Sequence, residues 1–172
     1  PSADQLLSIE DIDEDVFSNH QGILHFCSVS LTDYPIKKAH VKAIDLALKN
    51  NFLICFDPNL RLSLWDDHKA LKQTVQSFIP HAHLLKISED ELEFITGIND
   101  MHQAIESLFI GNVSYIILTR GKKGATFYHK NGLIVESLGY KVKVKDTTGA
   151  GDSFIGAFLS YVAQHENHLF NQ

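Results

Sequence analysis

The stretch VKDTTGAGDSFIG, residues 144–156, sets Asp146 and Asp152 on either side of a Thr-Thr-Gly-Ala-Gly turn, directly ahead of an apolar run. A turn needs one glycine, and a helix start needs one Ser, Thr or Asp. This segment carries more than either. Gly149 and Gly151 let successive backbone N–H groups converge in one hollow, and a helix starting there adds about half a positive charge. Such a hollow suits an anion, above all a phosphoryl group gaining charge in transfer. A carboxylate beside the hollow repels a merely bound anion, yet it serves as a base toward a hydroxyl attacking phosphorus, and Asp152 stands at that place. A plain helix cap by Asp152, with the two glycines making an ordinary turn, accounts for the same spacing. Two familiar phosphate loops are excluded: Phe154 occupies the third glycine position of G-x-G-x-x-G, and no Gly-Lys-Ser/Thr occurs.

Outward from this turn, strand-like and helix-like segments alternate. Apolar runs at 22–28 (GILHFCS), 52–56 (FLICF), 83–87 and 115–118 predict buried strands. Helical periodicity predicts helices over 35–50, 65–79, 101–110 and 150–164, with a short acidic one over 88–95 closed by Thr96-Gly97. Ser8 to Asp11 reads as a capped helix start. Asn131-Gly132 between 125–130 and 133–137 is a hairpin signal, and 140–144 reads as one more strand. Strands apolar on both faces, alternating with helices, predict a mostly parallel sheet covered on both sides. Neither a repeat nor a linker divides residues 1–172, so one α/β domain is expected. Folds of this class bind ligands beyond the carboxyl ends of their strands. Those ends carry Asp57-Pro58-Asn59-Leu60-Arg61, Ser88-Glu89-Asp90-Glu91, Thr119-Arg120-Gly121 and the glycine turn.

The 172 residues are 44% hydrophobic and 21% charged, the balance of a globular chain with a real core. A formal net charge of -6, with basic runs no longer than Lys37-Lys38 and Lys122-Lys123, argues against a nucleic-acid partner. No apolar run reaches the roughly 20 residues of a membrane span, and the cytoplasm is the expected location. Cys27 and Cys55, inside apolar runs, read as reduced core thiols. The ten histidines include His81 with His83 and His165 with His168, but neither pair has a third ligand at metal-binding spacing. Leu64 and Trp65 read as core anchors. The chain opens on Pro1 and its one methionine is Met101, so Pro1 is not a natural translation start; an engineered product, a processed product and a piece of something longer are the open readings.

DTTGAGDSF at 146–154 resembles the C-terminal signature of the ribokinase-like (PfkB-type) carbohydrate kinases, and other segments follow in that family's order. These are the DPNLR loop, Ser88-Glu89-Asp90-Glu91, and TRGKKG at 119–124; DPNLRLSLW at 57–65 and the opening PSADQLL are most similar to fructokinases. The resemblance implies a three-layer fold and ATP-dependent transfer of a γ-phosphate to a hydroxyl of a small sugar. Fructose is favoured, with ribose, 2-keto-3-deoxygluconate or a nucleoside as alternatives. It implies that Asp152 is the catalytic base and that Gly149, Ala150 and Gly151 supply the anion-hole amides. Asp146 and Thr148 match positions that help hold a monovalent cation such as K+. Thr119, Gly121 and Gly124 match the strand-end loop that contacts ATP, and Arg61 stands where its planar fork suits a phosphate. Arg61 paired with Asp66 or Asp67 on the surface is the plainer alternative. Ser88 replaces the Asn of an N-x-x-E motif near Mg2+, while Glu91 is retained for an indirect, water-mediated role.

The same resemblance implies a further N-terminal portion, bearing a lid and sugar-contacting residues, and a further C-terminal segment, both missing between Pro1 and Gln172. The chain is therefore expected to be the nucleotide-and-catalysis half of a kinase, with little turnover alone. An open sheet edge left by such a cut is expected to self-associate or to bind a complementing chain. A non-catalytic nucleotide-binding or structural fragment is the rival from another class.

Overall fold

β1 (Ile23–Cys27) leads through α1 (Pro35–Lys49) to β2 (Leu53–Asp57). α2 (His68–Phe78) connects β2 to β3 (Leu84–Ser88), and α3 (Glu89–Thr96) with α4 (Met101–Glu106) connects β3 to β4 (Tyr115–Thr119). The hairpin β5 (Gly124–His129) and β6 (Ile134–Leu138) follows, then α5 (Ala150–Gln164). The computed structural model describes residues 3–18, 21–141, 143 and 149–165.

The six strands lie in chain order, β1 to β4 parallel and β5 and β6 antiparallel. Parallel neighbours need crossovers, and crossovers that step the same way with one hand put their helices on one face. The packing follows this rule. One core joins Ala43, Leu71, Ile95 and Ile105 of α1 to α4 with sheet residues such as Ile54 and Leu85. On the opposite face Ile155 of α5 packs with Cys55, Leu84 and Ile117. β2 is buried along its whole length, as a central strand covered on both sides must be. No helix among the described residues is long and apolar enough to cross a membrane.

Several local expectations need correcting. Ser8 and Asp11 do form a reciprocal cap, but on a single turn, Ile9–Asp11, that ends where Ile12 turns extended. α2 starts at His68 rather than 65, because Asp67 caps it by accepting from Lys69 N–H at 2.7 Å. Trp65 packs on the core ahead of that cap, whereas Leu64 is 53% exposed and anchors nothing. α4 stops at Glu106, since the chain must turn through Gly111 (φ +58°) to enter β4. Tyr140, Lys141 and Lys143 are not in a strand; Val142 and Val144 lie outside the described residues. β6 is exposed on both faces, so cover on both sides of the sheet stops short of it.

Candidate active site

The carboxyl ends of β1 to β4 and the start of α5 share one rim. Cys27 pairs with Asp57 in register, and Ser88 with Thr119. α5 enters through Gly149 at φ +73°, a left-handed conformation that side chains resist. Its first helical bond runs from Ser153 N–H to Gly149 O at 2.8 Å. Helical geometry therefore leaves the N–H groups of Ala150, Gly151 and Asp152 without intrahelical acceptors, and no side chain among the described residues caps them. Asp152 lies exposed in this first turn. Its charge reaches across to Cys27, whose thiol is pushed above its ordinary pKa by burial first and then by the charges of Asp57 and Asp152. The helix start thus faces the strand ends.

Beneath it lies a buried ion pair. Lys86 Nζ stands 2.8 Å from Asp57 Oδ2 and 3.1 Å from Oδ1, with side chains 8% and 2% exposed. Asp57 and Lys86 follow Cys55 and Leu84 by two residues along their strands, which puts them on the α5 face. One turn before Ile155, a Cβ on Gly151 would stand 3.2 Å from Lys86 Nζ. Burial pushes the Asp57 carboxyl above the usual carboxylate range, and the Lys86 ammonium pulls it back. Sequence reasoning passed over both residues as chemistry. The signal was there: a lysine inside the apolar HLLKIS needs a counter-charge if buried, and FLICFD ends on an acid.

The loop after β2 is tied to the start of α3. Asn59, at φ +42°, donates its N–H to Asp57 Oδ1 at 3.2 Å, and Leu60 N–H donates to Glu91 Oε1 at 2.9 Å. Glu91 Oε2 accepts from Ser88 N–H and Ser88 Oγ–H, each at 2.8 Å, while Glu91 N–H donates to Ser88 Oγ at 3.3 Å. Ser88 and Glu91 are therefore the two halves of a capping box, and Glu91 also fixes the DPNLR loop. Arg61, next along, is exposed and pairs with neither Asp66 nor Asp67 among the described residues.

Thr119 Oγ1 donates to Ile87 O at 3.4 Å, which closes the rim between β3 and β4. Lys123 Nζ reaches Glu89 at 3.3 Å and ties the turn after β4 to the start of α3. Gly121 has φ +53° in open surroundings; Gly124 has φ +103° and backs onto the Ser137 carbonyl of β6, which suffices to require glycine there. Asp146 and Thr148 lie outside the described residues. No cluster of three or more His, Cys, Asp or Glu suited to a metal occurs among the described residues.

Residues 3–168 match the family described as pfkB family carbohydrate kinase. The chain belongs to the pfkB family of carbohydrate kinases. It is 37% identical to fructokinase-2 of Solanum habrochaites over 100% of this chain and 52% of that protein. Among solved structures of pfkB relatives it is similar to the fructokinase of Vibrio cholerae O395 in its fructose, ADP and calcium ion bound form. That match has a TM-score of 0.82 at 36% identity, covering 94% of this chain and 51% of the other. It is also similar to the aminoimidazole riboside kinase of Salmonella enterica complexed with aminoimidazole riboside and an ATP analog, with a TM-score of 0.80 at 28% identity, covering 92% and 52%. The ribokinase-like fold expected from the sequence is thus the fold observed. The chain spans about half the length of the curated pfkB relatives it matches.

Proposed function

We propose that this chain forms the nucleotide-side and catalytic portion of an ATP-dependent sugar kinase, with fructose as the favoured acceptor. The observation that carries it is the start of α5, uncapped by any described side chain and with Asp152 in its first turn, set against the carboxyl ends of four parallel strands. Asp152 takes the proton from a sugar hydroxyl, and the freed oxygen attacks the γ-phosphorus of ATP. The bond from that phosphorus to the bridging oxygen breaks, and ADP leaves with its electron pair. The amides of Gly149, Ala150 and Gly151 receive the charge that gathers on the transferring group. Ribose, 2-keto-3-deoxygluconate and nucleosides are the competing acceptors; the fructokinase relatives favour fructose.

The donor set fits Mg2+ carried by phosphates and waters, since the described carboxylates form no cage and Glu91 is committed to three protein donors. When bound, the ion neutralises charge on the phosphates. Ser88 and Glu91 would flank it through water, Thr119, Gly121 and Gly124 would line the nucleotide side, and Arg61 would extend its guanidinium toward phosphate. Asp146 and Thr148 are proposed to hold K+ behind the glycine turn. Two free thiols, Cys27 and Cys55, suit a reducing compartment such as the cytoplasm.

On the longest polypeptide that carries these residues, calorimetry with ATP·Mg2+ and an ADP-release assay over a sugar panel test this reading. ATP binding, with fructose-dependent release lost in Asp152→Asn, supports it; full activity in Asp152→Asn removes the base. Binding without turnover for any sugar assigns the chain to a non-catalytic role. The edge strand β1 has one strand neighbour among the described residues, and we propose that its outer edge pairs with a second copy or a complementing chain. A monodisperse monomer in sedimentation, melting cooperatively, refutes that pairing.

A further inference from the structure

We infer that Lys86 is a positioning residue for phosphoryl transfer, a buried ammonium pinned by Asp57 that sets the first turn of α5 against the transferring phosphate. The inference rests on the kinase reading and assigns a role to a residue outside the glycine turn. Stability alone does not explain the Asp57–Lys86 pair. Taking two charges out of water costs more than their attraction commonly returns, and apolar side chains of similar volume hold such a place as well or better. The pair is nonetheless almost wholly buried, at 2.8 and 3.1 Å.

Its surroundings are electrostatically adverse in a specific way. The ammonium abuts Gly151, at the end of α5 where the helix dipole is positive and a cation is disfavoured. Two positive elements, one side-chain charge and the amides at the helix start, converge on the same place, and a single carboxylate, Asp57, is paired with the ammonium. That arrangement becomes favourable when a further anion lies above it. A phosphoryl group gathering charge in transfer supplies that anion at the step that matters. Gly151 fits the same account, since any side chain there would crowd Lys86 Nζ from 3.2 Å. Lys86 acts through the turn and through Asp57, not by touching the sugar.

The test uses the longest polypeptide that carries these residues, and compares Lys86→Met with the double variant Asp57→Leu/Lys86→Met. Melting, ATP·Mg2+ affinity by calorimetry, and kcat and KM with fructose are measured. The double variant is expected to melt near the parent and to keep its KM for ATP within about twofold, while kcat falls about 100-fold, the scale of one lost electrostatic donor. A double variant that folds and keeps the parent's kcat overturns the inference and leaves the pair structural. If the double variant does not fold, Asp57→Asn/Lys86→Gln decides, because it keeps a hydrogen-bonded pair of similar size and removes both charges. A kcat loss of about tenfold or more with unchanged melting supports the inference, and an unchanged kcat overturns it. A parent that neither binds ATP·Mg2+ nor releases ADP fails the kinase reading before any Lys86 variant is compared.

Discussion

Ile155→Ala should release α5 from the sheet without unfolding the rest of the molecule. Ile155 is 1% exposed and sits with Cys55, Leu84 and Ile117 in the smaller of the two cores, supported by Phe158 and Leu159. The larger core lies across the sheet and contains no residue of α5. Truncating a buried isoleucine to alanine costs about 2–5 kcal/mol, from lost transfer energy and the cavity left behind. At about 1.36 kcal/mol per factor of ten, opening of α5 becomes roughly 30-fold to several-thousand-fold more frequent. Hydrogen exchange followed by mass spectrometry reads this directly. Amides of α5 should exchange faster by that factor, while those of β2 and β3 stay near the parent's rates. Fructose-dependent ADP release should fall with α5 protection, because Asp152 and its amides ride on that helix. Equal acceleration in α5, β2 and β3 would refute the reasoning, since it would mean that the helix opens only with the whole fold.

Asp57→Asn strands the Lys86 ammonium in the interior and should cost about 3–5 kcal/mol in urea denaturation, whereas Asp57→Leu/Lys86→Met should recover most of it. Gly149→Ala forces a side chain into a left-handed conformation and should cost about 1–2 kcal/mol, with a loss of kcat that exceeds any change in ATP affinity. His83 accepts a hydrogen bond from Ile54 N–H on Nδ1 at 3.0 Å, and burial lowers its pKa from 6.5. The unfolded chain then binds the proton more readily, so stability is full above 6.5 and falls as pH drops toward the lowered folded value. Melting scans from neutral to acidic pH should show this decline, reduced in His83→Gln.

Much of the architecture was legible because its signals are local. FLICF, apolar at every position, announced a strand covered on both faces, and Asn131-Gly132 announced the hairpin. α5 runs over the residues its periodicity predicted, 150–164. The start of α5 at Gly149 was legible for a related reason: its unusual composition sits within a few neighbouring residues. What escaped depends on partners distant in sequence. Asp57 and Lys86 are separated by 29 positions and meet only because β2 and β3 are neighbours. The exposure of β6 was not legible either, because burial depends on what packs over a strand, and that is absent from its own letters. Glu91 read as an acid near a metal, and its commitment to Ser88 and Leu60 became visible only once the two loops lay side by side.

The match between strand order and chain order bears on how the molecule comes to exist. Each strand from β2 onward docks beside the one made just before it, so among the described residues no strand from β2 onward waits for a first neighbour still to be synthesised. A ribosome releasing this polypeptide from its amino end can therefore lay down the sheet one ribbon at a time, shielding each new edge with the next ribbon. α5 emerges after all the strands it covers, so the helix start at Gly149 is the last part of the described chain to be mounted.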